Sequence, residues 1–385
     1  MLAVRRIYWP AINLIGPGSV KEIGGEIRGL GKTKALLVTD HVLNQLGVVK
    51  QVTDVLDESG ITYVIFDDVK PNPTMQNVHD GLTAYLREGC DFIISLGGGS
   101  PQDAAKGIGI LSTNGGSIEE YEGIGKSKEK SAPIIAINTT AGTASEVTVN
   151  YVITDEHRKI KMVMVDPNSL ATVAVNDPEL MVNKPAGLTA ATGMDALTHA
   201  IEAYVTQGAF ELSDTIALKA IELISRSLAA AVRDGKDLAA RSTMAWGSYV
   251  AGLSFSNCGL GVVHGMAHQL GSEYDLPHGV ANAILLPYVM EYNLESAVAK
   301  FAEIARAMGE NTTGLRDGEA ALLALAAVRR LSAEVGIPPL ASTPFNPADV
   351  DKLAEQAMND VCTGGNPRAV TKADLVALYL KAYEG

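Results

Sequence analysis

Four short runs of β-branched and apolar residues, Lys34–Thr39, Thr62–Phe66, Asp91–Leu96 and Pro133–Ile137, alternate with helix-length segments, and after Lys184-Pro185 no such run recurs. Those at 34–39 and 91–96 are nearly continuous in apolar character, as strands buried on both faces require. Alternation of this kind specifies a parallel sheet joined by crossover helices. A further pair, Met162–Val165 and Ala171–Val175, extends or flanks that sheet before Asn176-Asp177-Pro178 ends it. Beyond residue 184 the apolar residues recur at helical spacing, as in Ile216, Leu218, Ile221, Leu223 and Ile224, or Leu322, Leu323, Leu325, Val328 and Leu331. The expectation is an α/β domain over residues 1–184, built on a parallel sheet, followed by an all-α domain over residues 185–385.

Composition excludes several classes of function. An apolar fraction of 47% with 19% charged residues describes a folded chain with large cores. The net charge of −13 and the absence of any long Lys/Arg run argue against nucleic acid or an anionic membrane surface as partner. Three cysteines, Cys90, Cys258 and Cys362, form no CxxC pair and leave one over if two join, which fits a reducing cytoplasm. No apolar stretch long enough to span a bilayer occurs, and no secretory h-region follows the two N-terminal arginines.

Glycine is abundant, with 38 residues, and some of it is placed where it can act. The strand expected at 91–96 runs straight into Gly97-Gly98-Gly99-Ser100-Pro101-Gln102-Asp103. Ser100 suits an N-cap, Pro101 the first helical position and Asp103 the third position of a capping box. Glycines ahead of a helix start let backbone N–H groups approach a phosphate, although the same residues also suit a tight turn with no ligand. The pattern departs from GxGxxG. After the fourth strand, Asn138–Glu146 carries four hydroxyls and a glycine, which suit either a polar cleft wall or an ordinary loop. Asp40 follows the first strand, where it could accept hydrogen bonds from a ribose 2′-OH and disfavour a 2′-phosphate, or simply form a turn.

Four of the seven histidines, His199, His264, His268 and His278, fall between residues 199 and 278. On the helix expected around Thr189–Val205, Asp195 and His199 stand one turn apart, the stretch has no Lys or Arg, and Glu202 is the other ionisable group. His264 and His268 are likewise one turn apart, whereas His278 follows a proline and precedes a glycine. Together with Asp195 these histidines point to a mononuclear metal site. A carboxylate and three imidazoles suit iron(II) or zinc, and leave a divalent ion with positive charge to polarise an alcohol oxygen.

The stretches Gly97–Lys106, Thr139–Glu146, Gly193–Glu202, His264–His268 and Pro277–Pro287 carry a resemblance to the iron-containing, group III alcohol dehydrogenases, over essentially the whole chain. The resemblance implies a dehydroquinate synthase-like pair of domains with a cleft between them. It implies metal ligation by Asp195, His199, His264 and His278, with His268 beside nicotinamide and substrate. It implies NAD(H) contacts from Asp40, Gly97, Gly98, Ser100, Asp103, Thr139, Thr140, Thr143, Ser145 and Lys161, and Fe(2+), or Zn(2+), as the metal. Asn150 and the segment Cys362–Arg368 resemble the substrate-side residues of the lactaldehyde reductase branch. The implied activity is hydride transfer between NAD(H) and a small primary alcohol or aldehyde, 1,2-propanediol and lactaldehyde foremost. The other readings are a zinc-type glycerol dehydrogenase, a 1,3-propanediol or ethanol dehydrogenase, and, further off, a metal-dependent lyase. A homodimer or higher homo-oligomer in the cytoplasm completes the expectation.

Overall fold

The computed structural model describes residues 4–385. It divides into two compact units, residues 1–140 with 144–182 and residues 141–143 with 183–385. The described residues of the first unit hold nine strands: β1 (Ile12–Ile15), β2 (Lys34–Val38), β3 (Thr62–Phe66), β4 (Phe92–Gly97), β5 (Gly123–Ile124), β6 (Ile134–Asn138), β7 (Asn150–Asp155), β8 (Ile160–Val165) and β9 (Val173–Asn176). Six of them form an all-parallel sheet in the order β1-β9-β6-β4-β2-β3.

The continuous apolar runs follow from burial of this sheet on both faces. Leu36, Val38 and Ile93 point into one core, shared with Val78 and Tyr85 of helix Met75–Arg87 and Ile108 and Leu111 of helix Gly99–Asn114. Ala35, Leu37 and Ile94 point into the other, with Ile23 and Ile27 of helix Ile23–Gly29 and Val49, Val52 and Leu56 of helix Val48–Glu58. Side chains alternate across a strand, so a strand clad by helices on both sides must be apolar at every position.

Two features depart from the sequence expectation. Strand β1 precedes the first expected run; its four residues between Pro10 and Gly16 carry too little pattern alone, and pairing with β9 defines it. The pair at 162–165 and 171–175 splits. Strand β9 inserts between β1 and β6, whereas β8 leaves the main sheet and joins β5 and β7 in a small three-stranded one.

The register sets the turns after three of these strands next to one another. Gly97 pairs with Asn138, and Asn138 with Asn176, so the ends of β4, β6 and β9 are level. The loops after them open on the carboxyl edge of a parallel sheet, where open α/β sheets bind ligands.

The described residues of the second unit form nine α-helices and no strand. Helix Ala186–Val205 is buried along nearly its whole length and packs against helices Glu211–Arg233, Leu238–Cys258 and His278–Asn293. Gly279 permits the last of these contacts, because a Cβ there would stand 2.5 Å from the Ala191 carbonyl oxygen. No helix of the described residues is long and apolar enough to cross a membrane.

Ile94 is fully buried in a central strand and Ile65 is 40% exposed on edge strand β3. Ile94→Ala should lower stability by about 2–5 kcal/mol, and Ile65→Ala by less than about 1 kcal/mol, in chemical denaturation followed by circular dichroism.

Candidate functional site

In the first unit, the turn after β4 is tighter than the capping pattern suggested. The helix begins at Gly99, its N-cap is Gly98, and no side chain caps it. Gly97 has φ +152°, and a Cβ on it would lie 2.6 Å from Pro101 Cγ, so only glycine lets the chain coil this early. Ser100 therefore sits inside the first turn rather than capping it. Asp103 closes no capping box: its Oδ1 accepts from the Ser145 hydroxyl at 2.6 Å and its Oδ2 from the Val152 N–H at 3.0 Å. The first N–H groups of this 16-residue helix have no intrahelical acceptors and face the positive end of its dipole, the arrangement that favours an anion.

Around this turn a buried polar scaffold holds the loop that follows β6. The Thr139 N–H donates to the Gly97 carbonyl at 3.1 Å, and the Thr140 N–H to Asn138 Oδ1 at 2.9 Å. Asn138 donates in turn to Asn176, and Asn176 to Glu146. Lys106 is buried, and its ammonium donates to Ser145 Oγ, the Thr148 carbonyl and the Asn150 carbonyl at 2.7–3.0 Å. Burial pushes the Lys106 pKa down to about 8 and the Glu146 pKa up to about 7. Of the remaining nucleotide-side candidates, Asp40 caps the short helix His41–Gln45 by accepting from the Leu43 N–H, and the Lys161 ammonium donates to Asn72. Asn150 opens β7, and Thr143 ends the segment 141–143, which is part of the second unit. Lys106, Glu146 and Asn176 were missed by sequence reading. Their signal was present, since Lys106 is the one charge between Ala104 and Leu111.

In the second unit, Asp195, His199, His264 and His278 come together, each offering a ligand atom within 4.8 Å of the others. Asp195 and His199 share helix Ala186–Val205, His264 lies in helix Val262–Tyr274, and His278 is the first residue of helix His278–Asn293. The first three are at most 4% exposed. His199 is stacked between Phe255, with ring centroids 4.3 Å apart, and His264, at 4.5 Å. Burial lowers the pKa of His199, and it lowers that of His264 further with the help of the neighbouring imidazoles. Both rings are therefore neutral near pH 7 and keep a lone pair to offer.

The residues present fit a divalent cation. Buried His199 Nδ1 has no hydrogen-bond partner, and Asp195 Oδ2 stands 4.0 Å from it. Asp195 Oδ1, His264 Nε2 and His278 Nε2 all lie 2.7–3.1 Å from the single amide nitrogen of Asn282, which has only two N–H groups to give. Four convergent acceptors in a buried pocket are costly without a cation and favourable with one.

Two family models cover the chain: "Iron-containing alcohol dehydrogenase" matches residues 10–178 and "Fe-containing alcohol dehydrogenase family, C-terminal" matches residues 189–383. The chain is 50% identical over 371 residues to the lactaldehyde reductase of Escherichia coli strain K12, covering 96% of this chain and 97% of that protein. The chain belongs to the iron-containing alcohol dehydrogenase family. It is also 44% identical to the NAD-dependent methanol dehydrogenase of Bacillus methanolicus, covering 97% and 99% of the two chains. Among solved structures, that of a 1,3-propanediol oxidoreductase superposes with a TM-score of 0.97 at 48% identity, covering 99% of this chain and 100% of that one. As a member of the iron-containing alcohol dehydrogenases the protein is an oxidoreductase, and iron and NAD are the cofactors of this family.

Three residues around the iron-type cluster escaped the sequence candidates. Glu202, noted only for its spacing, accepts from His264 Nδ1 at 2.5 Å and from the Val263 N–H at 2.7 Å. It fixes the tautomer that leaves His264 Nε2 bare, as carboxylates behind metal-ligating histidines do. Asn282 reaches three of the four ligand residues, and Asp360 accepts from His268 Nδ1 at 2.8 Å. Glu202 and Asp360 come from segments distant in sequence from their histidines, which no periodicity could reveal, whereas Asn282 stands one helical turn from His278 and meets Asp195 only through tertiary packing.

Glu202→Ala should weaken metal binding about 10- to 100-fold, measured by competition with a coloured chelator. Glu146 supplies a pH dependence of stability. Its folded pKa near 7 exceeds the ordinary 4.5, so through that window the folded state keeps a proton that the unfolded chain has released. Its contribution therefore falls as pH rises. Urea melts should show Glu146→Gln gaining on the wild type between about pH 5 and pH 8.

Proposed function

We propose that the protein transfers a hydride between NAD(H) and a short primary alcohol or its aldehyde, with 1,2-propanediol and lactaldehyde as the preferred pair. The observation that carries this reading is the buried cluster of Asp195, His199, His264 and His278, whose lone pairs converge with His199 Nδ1 unpartnered. Those four residues are the proposed ligands of a ferrous ion. Held by these four residues, such an ion would supply Lewis-acid polarisation of an alcohol oxygen and lower its pKa.

In this reading residues 1–184 form the nucleotide-binding domain and residues 185–385 the metal-binding domain. Gly97, Gly98 and Ser100 present the helix start to the pyrophosphate, while Thr139, Thr140, Thr143 and Lys161 contribute donors to the dinucleotide. Asp103 and Ser145, hydrogen-bonded to one another, shape the same wall. Asp40 accepts from the ribose 2′-OH with the oxygen that does not cap the helix, and repels a 2′-phosphate. His268 receives the proton that leaves the substrate hydroxyl as the hydride departs to nicotinamide. Asn150 and Cys362 stand on the substrate side. The choice of a vicinal diol rests on the likeness of Asn150–Asp155 and Cys362–Arg368 to the lactaldehyde reductase branch and on the 50% identity to that enzyme. The protein is proposed to work as a cytoplasmic homo-oligomer, in keeping with its three free cysteines.

The test is an anaerobic NADH assay of iron- and zinc-reconstituted protein over ethanol, 1,2-propanediol, 1,3-propanediol, lactaldehyde and glycerol. The highest kcat/KM should fall on lactaldehyde in the reducing direction, with iron above zinc. His264→Ala should lose the metal and at least about 10³-fold in activity while its circular dichroism is unchanged. Full turnover by a metal-free His264→Ala protein would overturn the mechanism. Asp40→Gly should raise the use of NADP relative to NAD about 10-fold or more.

A further inference from the structure

His268 is not one of the four convergent ligands, yet its ring lies beside theirs, stacked on His278 with centroids 5.4 Å apart and edge-on to His264 at 6.0 Å. Its Nδ1 is within 2.8 Å of Asp360 Oδ2, and both side chains are less than 10% exposed. Asp360 is held from three other directions. The Cys362 N–H donates to its Oδ1 at 2.9 Å, the Gln269 side-chain amide reaches its Oδ2 at 3.4 Å, and the Cys362 thiol lies against it. The segment approaches closely because residue 265 is glycine, where a Cβ would collide with Thr363 Oγ1.

We propose that Asp360 is a positioning residue for this chain's reaction. It locks His268 in the tautomer with Nδ1–H donated to the carboxylate, which leaves Nε2 as the ring's acceptor for the proton of the substrate hydroxyl. This inference rests on the role given to His268 under the proposed function. When the alcohol is oxidised, its carbon gives up a hydride to nicotinamide and its hydroxyl gives up a proton. The proton goes to Nε2, and the resulting imidazolium is paired with the carboxylate that already holds its other nitrogen. The arrangement obeys the logic of a base oriented by a buried acid, in which the acid itself stays ionised. Desolvation works against ionisation of Asp360, but the His268 contact and the Cys362 donors outweigh it and hold its pKa below the ordinary carboxylate range. Cys362 is thereby given a second part, as a donor to Asp360, and burial with the adjacent carboxylates pushes its thiol pKa well up, so it stays protonated.

The test combines spectroscopy with a double-mutant cycle. In zinc-loaded, diamagnetic protein labelled with ¹⁵N-histidine, the His268 resonances should show a protonated Nδ1 and a bare Nε2. Asp360→Asn, which keeps an oxygen for the Cys362 N–H, should shift the ring toward the other tautomer with metal content unchanged. In the iron-loaded enzyme the same substitution should lower kcat about 10²-fold or more with KM changed by less than about 3-fold, and Asp360→Glu should recover part of it. Once His268 is Ala, Asp360→Asn should cost nothing further. Equal losses in the two backgrounds, or an unaltered tautomer in Asp360→Asn, would overturn the proposal in favour of a purely structural Asp360. Absence of alcohol oxidation by wild-type protein would instead refute the proposed function, and the spectra would still decide whether Asp360 sets the tautomer.

Discussion

The second unit is organised around a charge problem at its centre. Asp195, His199 and His264 are buried, Asp195 is paired with histidines, and their acceptor atoms converge. An arrangement of this kind favours a cation among those atoms. The helix that carries Asp195 and His199 is buried nearly all round, so its two ligands are held by packing from three neighbouring helices rather than by a loop. Small residues set the spacing, and Gly279 allows the helix bearing His278 to touch it.

The first unit solves a different problem with opposite means. Its sheet is clad on both faces by apolar helices, and its polar groups are confined to the carboxyl edge, where Gly97, Asn138 and Asn176 lie in register. There the charges of Asp103, Lys106 and Glu146 are turned inward and bonded to loop atoms. These groups stiffen the turn without occupying it.

Much of this was legible in the chain. The alternation of apolar runs and helical stripes follows from burial geometry, so the parallel sheet and the helical second half could both be read, and the i, i+4 spacing of Asp195 and His199 placed them on one face of a helix. The capping pattern at Ser100, Pro101 and Asp103 misled, because side-chain preferences say nothing about the positive φ that Gly97 adopts before them. Strand β1 was illegible since four residues acquire strand identity only from the partner they pair with.

By itself, then, the sequence determined the class of each half and the residue types of the metal cluster, because both are properties of local spacing and chemistry. Tertiary structure alone decided which groups stand behind that cluster. Glu202 meets His264 across 62 residues, Asp360 meets His268 across 92, and Asn282 meets Asp195 across 87. Such pairings are set by how helices pack and by where a missing side chain lets two backbones approach, and neither leaves a periodic trace in the chain.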